Sequence, residues 1–151
     1  MVLNYDLSLN QRAVQFLNKL IERCEKNNSG TLSAKIGNDD DGFMPVHVEI
    51  HGKIDFSGYP AKIVSVSHYF KQNGDLVPDP DMQFIVLDDF PNSDEFGLPI
   101  FPQTFQNQFR YDQAIFQDDD TNKWYVNRTL LSSLVSFANM WMNNIAAQQD
   151  L

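Results

Sequence analysis

One cysteine, Cys24, is all the sulfur chemistry the chain has beyond methionine, so no internal disulfide can form and nothing suggests an oxidising compartment. Positive charge is also scarce. Eleven Lys and Arg stand against twenty Asp and Glu, a formal net charge of −9, which repels phosphate backbones and argues against direct nucleic-acid binding. No window approaches the roughly 18 apolar residues that cross a bilayer, and the opening residues carry no basic n-region of a secretory signal. A cytoplasmic location without membrane attachment is expected, and the sequons at Asn27 and Asn127 then have no meaning. Gly-rich phosphate loops, nucleophile elbows, zinc-ligand spacings and dinucleotide fingerprints are missing as well. The expectation is a non-catalytic protein without a cofactor.

What is present suits a packed core. The 151 residues include twelve Phe and are 42% hydrophobic, enough to fold as one domain spanning 1–151 without metal or disulfide support. Twenty carboxylates in a chain of this length is an ordinary number, so the acidity reflects missing Lys and Arg rather than an acidic tract.

Residues 8–26 read as an amphipathic helix, because Leu9, Ala13, Phe16, Leu17, Leu20, Ile21 and Cys24 recur at spacings of three and four. Ser8 and Gln11 have the form of a capping box, and Asn27 to Gly30 supply a stop. Val46, Val48 and Ile50 alternate with His47, Glu49 and His51, the pattern of a strand with one wet face. Residues 62–70 give a second strand, with Val64, Val66, His68 and Phe70 on one side and Ser65, Ser67 and Tyr69 on the other. Asn73-Gly74 predicts a turn. Pro78 and Pro80 predict an interruption before a third strand over 82–87, and three prolines predict a long connection over 88–102 holding at most an isolated turn. Residues 105–116 and 123–126 are strand-like. A second helix is predicted over 130–145 from the stripe Leu130, Leu131, Leu134, Val135, Ala138, Trp141, Met142 and Ile145, with Asn127 or Thr129 as its cap. The pattern predicts an α+β fold in which N- and C-terminal helices pack on one face of an antiparallel sheet of four or five strands. Phe16, Leu20, Val66, Leu134, Ala138 and Trp141 are expected in its core.

Candidate chemistry is sparse. His47 and Glu49, or Glu49 and His51, stand about 6 to 7 Å apart on one strand face and could touch one ion, but the two histidines are about 13 Å apart, so a third ligand must come from elsewhere. The expected role of this face is a solvated surface. Asn38 to Gly42 cannot be an EF-hand, since placing Gly42 at the sixth position puts Gly37 first and Val48 twelfth. That run and Asp118-Asp119-Asp120 are read as exposed turns. Cys24 on the apolar stripe behaves as a small hydrophobe, and His68 should be buried and hydrogen-bonded to a carboxylate or carbonyl. The segment 72–81 is dense in turn formers, and any functional surface is expected to include it, with Asn73, Asp75 and Asp79 as its polar groups and Tyr69 as a further contact. A divalent ion there is a secondary expectation.

The run His68-Tyr69, Gln72-Asn73-Gly74-Asp75-Leu76, Asp79-Pro80, Met82 and Phe84 resembles the central signature of an uncharacterised bacterial domain family carried on phage, plasmid and conjugative elements. Phe43-Met44-Pro45-Val46, the segment from Phe101 to Asn107, and residues 137–141 with Asn144 and Gln148 are similar to further parts of it. The resemblance covers residues 43–148 and departs in the acidic connection over 88–97. It implies a genomic setting and a protein partner, not an activity. The expected function is a protein-binding accessory module. Two alternatives are an acidic inhibitor that imitates nucleic acid on a host defence or replication protein, and a small hydrolase or metal-dependent enzyme built from His47, His51 or His68 with carboxylates.

Overall fold

The structure, a computed structural model, describes residues 3–27, 32–38 and 42–151, the side chain of Pro78 excepted. The acidic run 39–41 and most of the first sequon lie outside the described residues. A short 3-10 turn (Tyr5–Leu7) leads into helix α1 (Gln11–Glu25). Six strands follow in order: β1 (Ser33–Ile36), β2 (Val46–Phe56), β3 (Tyr59–Gln72), β4 (Asp75–Leu87), β5 (Ile100–Gln106) and β6 (Tyr111–Gln113). A four-residue helix α2 (Ser93–Phe96) interrupts the β4–β5 connection, and β7 (Ile115–Gln117), β8 (Trp124–Val126) and helix α3 (Arg128–Gln148) complete the fold.

The architecture is α+β, as its pattern predicts, but the sheet is larger than four or five strands. The first six strands form one meander in sequential order, every described pairing is antiparallel, and β7 and β8 make a separate two-stranded ribbon. Three local patterns hid the extra strands. β1 has four residues and too little alternation to register. β5 begins at Ile100 rather than 105 because Pro102 sits beside the register shift between Gln83 and Phe84, where a missing N–H is tolerated. The strand-like run 105–116 is broken by a turn in which the Asn107 carboxamide accepts from the N–H groups of Phe109 and Arg110.

Pro78 and Pro80 do not interrupt β4. It pairs with β3 from Asp75↔Gln72 onward, through Pro78↔Tyr69, and resumes at Asp81↔Ser67 after a one-residue shift. The prolines are accommodated because β5 joins β4 only from Asp81 onward, so the earlier half of β4 has one neighbour and no ladder bond to lose on its other side. The predicted loop 72–81 is therefore a hairpin arm, closed by Asn73 (φ 53°) and Gly74 (φ 86°) in the left-handed pair that a tight two-residue turn requires.

The helices pack on each other and on one face of the sheet. Val48, Val66, Met82 and Phe105 make one inward cross-strand row, with Val64 and Phe84 in the next. Facing them are Leu17, Leu20, Leu134, Ala138 and Trp141, all buried. Cys24 is also fully buried and donates its thiol to the Val48 carbonyl at 3.3 Å; burial pushes its pKa up to about 11, which suits a packing role. Phe16 is the exception among the predicted core residues. It is half-buried at the rim, between Arg12 and Lys19, because the stripe centres on Ala13, Leu17, Leu20 and Cys24. The cap also differs from the capping-box reading. The Ser8 hydroxyl donates to the Tyr5 carbonyl, and Asn10 caps α1 by accepting from the Ala13 N–H at 2.9 Å. At the other helix Asn127 accepts from the Leu130 N–H at 3.1 Å.

The outer face is divided. At one end Phe56, Ile85 and Phe101 are buried on the side of the β7–β8 ribbon, whose Ile115 is buried and whose Trp124 is half-buried against Phe56, and Trp124 donates its indole N–H to the Asp55 carbonyl. At the other end nothing described covers the sheet. No described helix is long and apolar enough to cross a membrane.

Candidate functional site

Antiparallel register carries polar side chains from four strands onto this uncovered end. One cross-strand row runs Lys35, His47, Ser67, Asp81, and the next runs Ser33, Glu49, Ser65, Gln83. Ser65 and Ser67 of β3 share the outer face with Asp81 and Gln83 of β4 because strand side chains alternate and these residues are paired. His51, at the bulge between Ile50 and Gly52, lies on the same face. Together these residues and Tyr69 line a cleft of about 430 Å³.

Within the cleft the His51 ring Nε2 is in close hydrogen-bond contact with the Ser65 hydroxyl. His47 meets the Tyr69 ring edge-to-face, centroids 5.4 Å apart. Asp81 is half-buried, and its Oδ1 is shielded from solvent with no hydrogen-bond partner among the described residues. Burial holds the Asp81 carboxyl above the usual carboxylate range, with His51 pulling weakly in the opposite direction. His47, Glu49 and His51 occupy the outer strand face, as their alternation predicts, and the pairing adds Asp81, Ser65 and Gln83, which no local pattern marks. No group of three or more His, Cys, Asp or Glu among the described residues is placed to hold a metal ion.

His68 lies on the opposite face. It is buried, and its Nδ1 lies 3.0 Å from the Pro45 carbonyl. Since a carbonyl only accepts, Nδ1 carries the proton. Its ring packs edge-on against Trp141, and desolvation lowers its pKa despite the opposing pull of that carbonyl and of Asp79. The Asp118 turn is self-capped, Asp118 accepting from the N–H groups of Asp120 and Thr121.

The four residues expected at a binding surface are not brought together. Tyr69 lines the polar cleft, Asn73 and Asp75 are exposed at the tip of the arm, and Asp79 is exposed on β4 near its base. A second cleft of about 660 Å³ opens where β3 outruns β2. Its walls are Phe43, Met44, Pro45, Phe70 and Leu76, and it shares Lys35, His47 and Tyr69 with the first. Phe43 is 48% and Leu76 65% exposed.

No curated protein and no solved structure matches the chain. Residues 15–151 match the family described as Domain of unknown function (DUF6908), and the chain belongs to that family.

Proposed function

We propose that this chain is a non-catalytic, protein-binding accessory module of a mobile genetic element, acting in the bacterial cytoplasm, and that its partner docks on the β3–β4 arm. The observation that carries the docking is an open strand edge beside apolar side chains. Among the described residues β2 pairs with β3 no further than His47↔Ser67, and residues 69–72 are paired on the β4 side alone. Natural sheets cover or charge such edges. Here Lys71 and Lys35 supply charge, but Phe43, Met44, Phe70 and Leu76 stand exposed or half-buried beside them, so an extended segment can add main-chain hydrogen bonds to β3 while its side chains enter the cleft. Tyr69 is then a contact on the floor of the cleft, and Asn73 and Asp75 at the tip of the arm and Asp79 near its base are separate polar contacts along it. The genomic setting rests on the resemblance of the segment from His68 to Phe84.

The experiment is quantitative affinity capture from a bacterial host with the intact chain and three variants as parallel baits. Leu76→Ala with Phe43→Ala should lose at least nine-tenths of the captured partner, by analogy with apolar anchors that cost about 2 kcal/mol when truncated. Asp75→Ala with Asp79→Ala should weaken capture less, and Asn73→Gly, which keeps the turn conformation, should weaken it least. Equal capture by all four baits would overturn the arm as the docking site.

A small hydrolase is the second reading, favoured by the convergence of His47, His51, Glu49 and Asp81 on one cleft.

A further inference from the structure

Prolines determine which edge of the β3–β4 arm a further strand can join. β2 begins at Val46, and Pro45 before it has no N–H to donate, while its carbonyl is taken by the buried His68 ring at 3.0 Å. The chain's own entry segment is therefore ill suited to pair with residues 69–72. On the other side of the arm, the part of β4 that β5 does not reach carries Pro78 and Pro80, which lack the donors that regular pairing needs. The β3 side is the one left with its donors.

The register also sorts the arm's side chains by face, since directly paired residues point the same way and neighbours alternate. Gln72↔Asp75 and Phe70↔Val77 share one face, and Lys71↔Leu76 the other. Asp75 is thereby turned away from Lys71, and Asp79 pulls on His68, which lies on the helix side. Lys71 is exposed and has no ion pair among the described residues, and the described walls of the cleft include no carboxylate. Asp81 on the outer face is paired with Ser67, four residues down β3 and so about 13 Å from Lys71 at the usual strand rise. That exceeds the screening length of about 8 Å at physiological ionic strength. The net charge of −9 repels an acidic partner from a distance, but at the edge itself an incoming strand meets Lys71. Such a strand alternates too. Its side chains on one face fall beside Phe70, where apolar groups fit a cleft walled by Phe43 and Met44, and the residue between them falls beside Lys71, where opposite charge is favourable and like charge is not.

We infer that the segment docking on the arm is an extended polypeptide stretch in which an Asp or Glu stands between two apolar residues, the carboxylate beside Lys71 and the apolar side chains on the Phe70 face. The inference rests on docking at the β3 edge and specifies the chemistry of what docks there.

The test is affinity selection of a displayed library of random linear dodecapeptides on the intact chain, with two variants as parallel targets. Enriched peptides should carry Asp or Glu between apolar residues and should fall to background on Leu76→Ala with Phe43→Ala. On Lys71→Glu, a change at an exposed position, the selected charge should invert to Lys or Arg. Replacing the carboxylate of an enriched synthetic peptide by its amide should weaken binding to the wild-type chain about threefold, the scale of an exposed ion pair, and should not weaken binding to Lys71→Glu. Peptides that require Phe43 and Leu76 but show no acidic preference, or the same preference on Lys71→Glu, would overturn the inference and leave arm docking standing. Peptides indifferent to Phe43 and Leu76, or no enrichment at all, would remove arm docking and the inference with it. Sedimentation velocity checks the remaining occupant: a concentration-dependent dimer abolished by Leu76→Ala with Phe43→Ala would place a second copy of the chain on the edge and overturn the inference.

Discussion

Of the three histidines, His68 is the one placed against the helices, and the pH dependence of folding should register it. Its folded pKa lies below the ordinary value of 6.5 because burial penalises the imidazolium. Above that value both folded and unfolded chains hold a neutral ring and the contribution of His68 is complete. As pH falls through it, the unfolded chain takes up a proton first, and stability is lost until the folded ring also titrates. Asp81 acts with the opposite sign. Its raised folded pKa means that its contribution is present below the ordinary carboxylate range and lost as pH rises through the folded value. Urea denaturation of the wild-type chain and of His68→Gln, compared at pH 7 and pH 5.5, isolates the histidine. The wild-type chain should lose more stability over that interval than the variant. Identical slopes would show that His68 is not desolvated as described.

At the scale of elements, the two long helices are each held by one asparagine cap and one apolar stripe, and both can be probed. Asn10→Ala removes the acceptor of the Ala13 N–H and should cost about 1 kcal/mol, whereas Ser8→Ala, which leaves the α1 cap intact, should cost less. Trp141 is 4% exposed between His68 and Phe137, so Trp141→Ala should cost about 3 to 5 kcal/mol as a large cavity. Thermal or urea unfolding measures all three. α1 and α3 are also the elements most legible in sequence, since a 3.6-residue stripe of many residues has few competing explanations. The cap of α1 misled because Ser8 and Asn10 are both good caps, and the 3-10 turn over Tyr5–Leu7, which the sequence pattern does not mark, presents the Tyr5 carbonyl to which the Ser8 hydroxyl turns back. The proline-bearing half of β4 misled for a related reason. Whether a strand tolerates Pro78 depends on whether a neighbour stands on its other side, and that is a property of the sheet, not of the segment.

The site follows the same logic across the whole molecule: His47, Glu49 and His51 declare their common face by alternation within one strand, but their meeting with Ser65 and Asp81 depends on the β2–β3 and β3–β4 registers. Likewise the apolar cleft exists because β3 outlasts β2, a difference in strand length that no local pattern encodes. These two clefts make opposite predictions about salt. A formal charge of −9 attracts basic surfaces from a distance, yet contacts between exposed charges are screened over about 8 Å at physiological ionic strength. A partner held by the carboxylates, as nucleic-acid mimicry requires, should leave an immobilised bait in a moderate salt step and should itself be a basic, nucleic-acid-binding protein. A partner held in the apolar cleft should survive that step, because burial of Phe43 and Leu76 is not screened and is strengthened by salting-out anions. The expected outcome is retention through high salt, abolished by Leu76→Ala with Phe43→Ala. Complete release at moderate salt from both baits would replace arm docking with acidic mimicry, and a reproducible failure to retain any partner at low salt would remove the binding-module reading altogether.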